Sequence, residues 1–386
     1  MNTIDHKRLL KGQIEQGRTP VDRSRSGNVP DFAYNIINEK SPLYRPEIDI
    51  RYNESGGKKP FWPGNKSFAV CLTHDVDSVT QYSLLQIIRR RSFMIASPGS
   101  LEKRMLSIFG GVVDLIQYLL RSGDRDPHQN IEKWLDIEEC IGATSSFFFW
   151  PGFNTIIHHH HSDCLYNLSD NVMFQGQGCS VSEMIREIDR KGWEIGLHPS
   201  WYSYDDIDEL RRQKDALENI LGHDLVSVRQ HNLHYDIQVT PVIHSEAGFL
   251  YDSTLGFNDN VGFRFGTSYP WHLTSLSKNE LLPIIEIPLI IQDSAMLNPN
   301  KGMRIDANMA FRYIELITDA IENVGGVLTL SWHPQYHNME AWWELYDHTL
   351  TFLKKKNPWF ATVRQVGEWF KKENSEILCR YSKGFE

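Results

Sequence analysis

Two aspartates, Asp75 and Asp77, stand one residue apart just after a short apolar run, Phe68-Ala-Val-Cys-Leu-Thr73. If the segment stays extended, alternate side chains share a face, so both carboxylates project one way and His74 the other. Two carboxylates on one side divide naturally into a metal ligand and a general base, which leaves His74 a structural role. Three more clusters share the layout: Leu197-His198-Pro199-Ser200, Arg229-Gln230-His231 and Ser331-Trp332-His333-Pro334. Together they offer carboxylates, imidazoles and a guanidinium. Zinc takes His and Asp ligands and in catalytic sites keeps a position open for water, so this inventory points to metal-assisted hydrolysis. Each residue has a plainer use. An Asp at a strand end often caps a helix, and a lone His such as His198 is commonly a hydrogen-bonded structural residue. Arg229 could pair at the surface, and His333 could sit in a loop. Clusters that repeatedly follow apolar runs are hard to explain as independent accidents.

The elements needed to gather these residues are legible. Helical patterns near 129–141, 181–191, 205–221, 239–246 and 306–323 alternate with short apolar runs at 143–149, 193–197, 225–228, 282–289 and 326–331. Helices of that length between short buried strands indicate βαβ units and a parallel sheet. In such folds the carboxyl ends of the strands share one edge, where ligand chemistry collects. Residues 1–65 are polar, with turn pairs such as Gly56-Gly57, and read as an irregular extension. Residues 66–375 form the main domain and 376–386 a C-terminal tail.

Residues 81–126 read as a helical insertion, with Leu106, Phe109, Val113, Ile116 and Leu120 at three- and four-residue spacing. Fewer than 18 residues run continuously apolar, so no membrane span is expected. The flanking Arg89, Arg90, Arg91, Lys103, Arg104 and Arg121 would suit peripheral contact with an anionic membrane; the plainer reading is a hairpin packed on the barrel or a second subunit.

The chain of 386 residues has a formal net charge of −9, against the basic excess of nucleic-acid binders. No GxGxxG or GxxxxGK[ST] pattern marks a nucleotide phosphate site. The cysteines, Cys71, Cys140, Cys164, Cys179 and Cys379, are odd in number and never spaced CxxC, which fits a reducing compartment better than a disulfide framework. Residues 1–17 carry no apolar core of a secretory signal, so a cytoplasmic location is expected.

At the polar clusters the chain resembles the polysaccharide deacetylases of carbohydrate esterase family four, over roughly residues 66–335. Thr73-His-Asp-Val-Asp77 looks like the family's first motif and Gly192-Trp-Glu-Ile-Gly-Leu-His198 like its second. Arg229 matches the third-motif arginine and His333 the late-motif histidine. Gly248-Phe-Leu-Tyr-Asp-Ser-Thr-Leu-Gly-Phe257, followed by Gly262-Phe-Arg264, is similar to a segment in a bacterial branch of the family. The resemblance implies a distorted (β/α)7 barrel and a divalent metal, zinc or a similar ion. It also implies roles: Asp75 as base, oriented by Arg229; His333 as acid; Asp77 and His198 as metal ligands. Two departures matter. Val76 separates aspartates that are adjacent in the usual motif, and Tyr202 stands where a second histidine is expected. His231 is the replacement ligand expected here, with His234 as the fallback.

The expected reaction is removal of an N-acetyl group from a sugar or glycan precursor. Trp201, Tyr251, Asp252, Arg264 and Trp332 are the expected substrate contacts, with Trp150, Tyr202 and Trp271 also near the predicted rim. The run His158-His-His-His161 lies in a polar loop and is read as adventitious. Two rival readings are a non-catalytic carbohydrate-binding barrel and a hydrolase acting on another amide or a glycosidic bond. The sequence does not indicate an oligomeric state.

Overall fold

A computed structural model describes residues 6–11, 42–80, 105, 108–113, 115–116, 126, 128, 130–152, 160, 162–336 and 339–383. Its centre is a mostly parallel sheet. The strands in chain order are β1 (Ala69–Val76), β2 (Ser146–Phe149), β3 (Asn171–Phe174), β4 (Gln177–Ser180), β5 (Glu194–Leu197) and β6 (Ser227–Val228). They continue with β7 (Tyr251–Asp252), β8 (Trp271–Ser275), β9 (Glu280–Glu286), β10 (Ile291–Gln292), β11 (Val327–Ser331) and β12 (Trp359–Phe360). The sheet runs β10-β11-β1-β2-β5-β6-β7-β9-β8, with β12 also paired to β1. Every ladder in it is parallel except β8 against β9. This is the expected α/β architecture of the (β/α)7 deacetylase type, but among the described residues no ladder joins the two ends into a closed barrel.

β1 is buried along its whole length, as an apolar strand covered on both faces must be. Helices Ile131–Ile141, Val181–Arg190, Ile207–Leu221, Ala307–Val324, Glu340–Lys356 and Val363–Glu373 cover the sheet. The helix at 181 begins in a capping box, with Ser180 accepting from the Glu183 amide and Glu183 accepting from the Ser180 amide.

Three segments differ from the sequence expectation. The N-terminal extension contains the helix Glu47–Glu54, whose Ile48, Asp49 and Tyr52 are buried. An acid within the buried stripe hid its periodicity. The expected tail instead forms the helix Ser375–Lys383, with Ile377, Leu378 and Tyr381 in the core. The run at 282–289 is paired only to Glu286, in a hairpin with β8 that the sequence did not signal.

Of the insertion, residues 105, 108–113 and 115–116 are described and helical, and 126 is described outside any helix; the rest lies outside the described residues. Met105, Ile108, Phe109, Val112, Val113, Leu115 and Ile116 are exposed. Among the described residues no helix is long and apolar enough to cross a membrane.

Candidate active site

Because the strands are parallel, their carboxyl ends share one edge, and the clusters converge there. Ladder bonds continue one residue beyond the strands. The His198 amide donates to the Phe149 carbonyl, that of Arg229 to Leu197, and that of Trp332 to Thr73. Backbone register thus fixes where each side chain starts. A cleft of about 370 Å3 opens at this edge, lined by Asp75, Asp77, His198, His231 and His333, with Ser162, Cys164, Asn258, Lys301 and Tyr336 around them.

Asp77, His198 and His231 turn three donor atoms toward one point. Asp77 Oδ1 lies 3.3 Å from His198 Nε2 and 3.5 Å from His231 Nδ1, and the two ring nitrogens are 3.0 Å apart. The far nitrogen of each ring faces a carbonyl oxygen: His198 Nδ1 is 2.7 Å from the Arg229 oxygen and His231 Nε2 is 2.8 Å from the Ser162 oxygen. Those nitrogens therefore carry the protons, and the inner ones present lone pairs. Burial lowers the His231 pKa, which favours the neutral ring. Burial alone would raise Asp77, but the imidazoles of His198, His231 and His333 around it hold it below the ordinary carboxylate range. Lone pairs of two imidazoles and a carboxylate repel when crowded so closely, and a shared divalent cation resolves that conflict. Two nitrogens and one oxygen form a ligand set suited to catalytic zinc.

Asp75 sits beside this triad in a different environment. Burial pushes its carboxyl up, but the Arg229 guanidinium together with His198 and His333 outweighs burial and holds it low. Arg229 Nη1 donates to Asp75 Oδ1 at 3.0 Å and to Thr73 Oγ1 at 2.6 Å, while Nε and Nη2 donate to the Ser253 carbonyl and hydroxyl. The guanidinium is fully buried and lies 4.5 Å from the centre of the Phe148 ring. Gly196 makes room for that ring: a Cβ there would come within 2.5 Å of Phe148.

His333 closes the other side. Its Nε2 is 3.7 Å from Asp77 Oδ2, and its Nδ1 lies 2.5 Å from Asp293 Oδ1. The His333 amide also donates to Asp293 Oδ2. Burial would lower the imidazole, but the Asp293 carboxylate outweighs it and raises His333 to about 9. His333 is thus a proton donor at neutral pH.

The expected substrate contacts fare unevenly. Tyr251 is buried against Gly367, on the outer face of its strand. Asp252 is buried and held by Tyr235, His244 and Thr254. Trp332 is buried against Tyr346 on the opposite face from the cleft, and Trp150 and Trp271 are core residues. Arg264 turns inward and donates to the Gly256 carbonyl. At Tyr251 and Trp332, on or just past a strand, adjacent residues alternate faces, so proximity in sequence to the site was no guide to facing it; Arg264 lies on a turn outside any strand. Trp201 stays near the rim, its amide donating to Asp163, but its ring already stacks on His160 and His234. That stack also keeps His234, the fallback ligand, out of the metal triad. Tyr202 is exposed. Of the four consecutive histidines only His160 is described; the others lie outside the described residues.

Sequence reasoning missed Asp293, Cys164 and Glu138. Asp293 follows the two-residue strand β10, too short a run to flag the acid at its end. Cys164 lies 3.9 Å from both Asp77 Oδ1 and His231 Nδ1, on a segment without periodicity; burial pushes its thiol well up. Glu138 binds His74 from the other side of β1.

No family model matches the chain, and no curated protein sequence does. Solved structures do resemble it. A Mycobacterium smegmatis protein provisionally named a polysaccharide deacetylase superposes with a TM-score of 0.52 at 19% identity, covering 83% of this chain and 95% of that one. A Pseudomonas aeruginosa PAO1 protein named in the same way gives 0.52 at 14% identity, covering 83% and 97%. A PuuE allantoinase gives 0.52 at 13% identity, covering 83% and 95%. At these identities the likeness shows the fold: this chain has the fold of the polysaccharide deacetylases.

Proposed function

We propose that this chain is a metal-dependent hydrolase that removes an N-acetyl group from a sugar or glycan precursor, with zinc or a similar divalent ion held by Asp77, His198 and His231. The observation that carries the reading is the cleft itself. A cation-ready triad lies between an acid held ionised, Asp75, and an imidazole held protonated, His333. Paired groups whose pKa values are pushed in opposite directions divide base from acid.

When bound, the ion polarises the amide carbonyl and makes a water acidic enough for a carboxylate of low pKa to deprotonate. Asp75 takes that proton, and Arg229 keeps it ionised and aimed. His333 gives a proton to the departing amine, which leaves poorly as an anion. Asp293 keeps His333 charged and turned so that its Nε2–H faces the cleft. Lys301 and Tyr336, which line the cleft, and Trp201 beyond its lining are the candidates for sugar contacts. The fold similarity to named deacetylases supports the reaction class.

The test is acetate release from a panel of N-acetylated sugars, with metal content measured alongside. Asp75→Asn should lower turnover by at least about a hundredfold while leaving the bound metal in place. His198→Ala should lose the metal. An Asp75→Asn protein that loses its metal would exchange the roles of Asp75 and Asp77. A metal-loaded wild type that releases no acetate from any N-acetylated sugar would sink the deacetylase reading.

A further inference from the structure

We propose that Lys301 determines specificity for charge: it selects substrates whose sugar carries an anionic group, a carboxylate or a phosphate. The inference rests on the deacetylase reading above and names the class of substrate that the same cleft takes.

Lys301 lines the cleft together with the metal triad and, among the described residues, makes no hydrogen bond or ion pair. The acids around it are already engaged. Asp75 pairs with Arg229, Asp293 pairs with His333, and Asp163 accepts from the amides of Trp201 and His160. Asp77 belongs to the metal triad. With a divalent ion on that triad, positive charge around the cleft exceeds negative charge, and the Lys301 ammonium is the exposed part of the excess. A concave wall of low dielectric focuses such a field on an incoming ligand. An anionic sugar answers it, and a neutral one does not.

The backbone places this lysine. After β10, the helix Asp293–Leu297 leads into a turn that doubles back on it, with the Met303 amide donating to the Ala295 carbonyl and the Ile305 amide to the Met296 carbonyl. Gly302 has a φ of +73°, and a Cβ there would run into the Ala295 carbonyl, so only glycine lets the chain pass so closely. Arg304 also lies in the left-handed region, at a φ of +53°. Two left-handed positions within three residues hold a path that an unconstrained loop would avoid. That path returns Lys301 to the start of the helix, beside the neighbour of Ser294.

Ser294 supplies a second donor. It is buried and lines the same cleft. Its Oγ accepts from Gln292 Nε2, which leaves its own proton for another acceptor. An ammonium and a hydroxyl on one short segment suit the oxygens of a carboxylate or a phosphate.

The experiment compares wild type, Lys301→Met and Lys301→Arg on matched substrates: N-acetylglucosamine, the uronate made by oxidising its primary alcohol, and its anomeric phosphate. The wild type should prefer one of the anionic sugars over the neutral one by about tenfold or more in kcat/KM at low salt, with the difference in KM. Whichever anion is preferred identifies the source of the charge. Lys301→Met should cut that preference about tenfold, and Lys301→Arg should retain most of it. Added salt should shrink the preference more in wild type than in Lys301→Met. Equal kcat/KM for charged and neutral sugars in wild type would overturn the proposal and leave the deacetylase reading standing. So would an unchanged preference in Lys301→Met. A second arm measures calorimetric binding of glucuronate and of anomeric glucose phosphate, which carry no acetamide, to the metal-loaded protein. If no sugar releases acetate, the deacetylase reading fails and this arm decides the inference. Binding weakened about tenfold in Lys301→Met supports it, and binding that is absent or unchanged overturns it.

Discussion

At the residue scale, the site consists of pairs that hold opposite charge states. Arg229 helps hold Asp75 low and Asp293 helps hold His333 high, so the proposed base and the proposed acid are pushed in opposite directions. The pair around His333 yields a pH prediction. Its folded value, about 9, lies above the ordinary 6.5, so the stability it contributes is full below about pH 6.5 and is lost as pH rises through about 9. The same proton is the one proposed for the leaving amine, so turnover should fall along the same alkaline limb. Asp293→Asn removes the charge that outweighs burial. The alkaline limb of kcat/KM should then move down by about two pH units or more, with turnover at pH 8 falling at least about tenfold. An unchanged limb would mean that another group donates the proton. Residue types were legible in the sequence because carboxylates and imidazoles behind apolar runs have few structural excuses in combination. The directions of their side chains were not, as Tyr251 and Trp332 show.

At the scale of elements, β1 carries chemistry on one face and structure on the other. Asp75 faces the cleft, while His74 points away into a buried network. His74 Nδ1 lies 2.8 Å from the Trp332 carbonyl oxygen and Nε2 lies 2.6 Å from Glu138 Oε1. Both ring nitrogens face oxygens, so the ring bridges the Trp332 carbonyl and the Glu138 carboxyl inside the core. Tyr346 donates to the same carboxylate at 2.6 Å and Trp193 to its other oxygen at 3.1 Å. One acid thus ties Ile131–Ile141, Glu340–Lys356 and the start of β5 to the central strand. Glu138→Ala should cost about 3–5 kcal/mol, because it leaves the buried His74, Trp193 and Tyr346 groups without their shared partner. Urea denaturation measures this, and a loss under 1 kcal/mol would show that the network is not what holds β1. The sequence carried a signal here: Glu138 follows Trp134 and Leu135 at helical spacing, so an acid lies on an otherwise apolar stripe. Alternation of helix and strand made the parallel sheet legible as well. The hairpin of β8 and β9 was not, because its turn at 276–279 holds no Gly or Pro and its left-handed position is taken by Asn279.

At the scale of the whole molecule, the two chain ends seal the edge opposite the cleft. The start of β1 and the start of β11 meet there, with the Ala69 amide donating to the Gly326 carbonyl and the Val327 amide to the Ser268 carbonyl. Asp49, from the helix Glu47–Glu54, accepts from Thr267, from the amide and hydroxyl of Ser268, and from Tyr381 of the helix Ser375–Lys383. Burial outweighs these donors and raises Asp49 from 3.8 to about 6. A carboxyl that binds its proton more tightly when folded contributes stability that is full below about pH 4 and is lost as pH rises through about 6. The two-unit shift bounds that loss at about 3 kcal/mol. Asp49→Asn should therefore flatten the stability-versus-pH curve between about pH 4 and 6, and an unchanged slope would assign the titration elsewhere. Tyr381→Phe keeps the ring and removes one donor, at a cost of about 1.5–3 kcal/mol. Removing 375–386 exposes the core to which Ile377, Leu378 and Tyr381 belong. At about 1.5–3 kcal/mol for each buried apolar side chain, that loss rivals the total stability of an ordinary domain, and the shortened chain should not fold. None of these groups lines the cleft, so Asp49→Asn and Tyr381→Phe should keep the kcat of the folded, metal-loaded enzyme within about twofold. A large drop in kcat without a drop in stability would mean that the far edge communicates with the site through the strands, since β1 runs from Ala69 to Asp75 and β11 from Val327 to Ser331, two residues before His333.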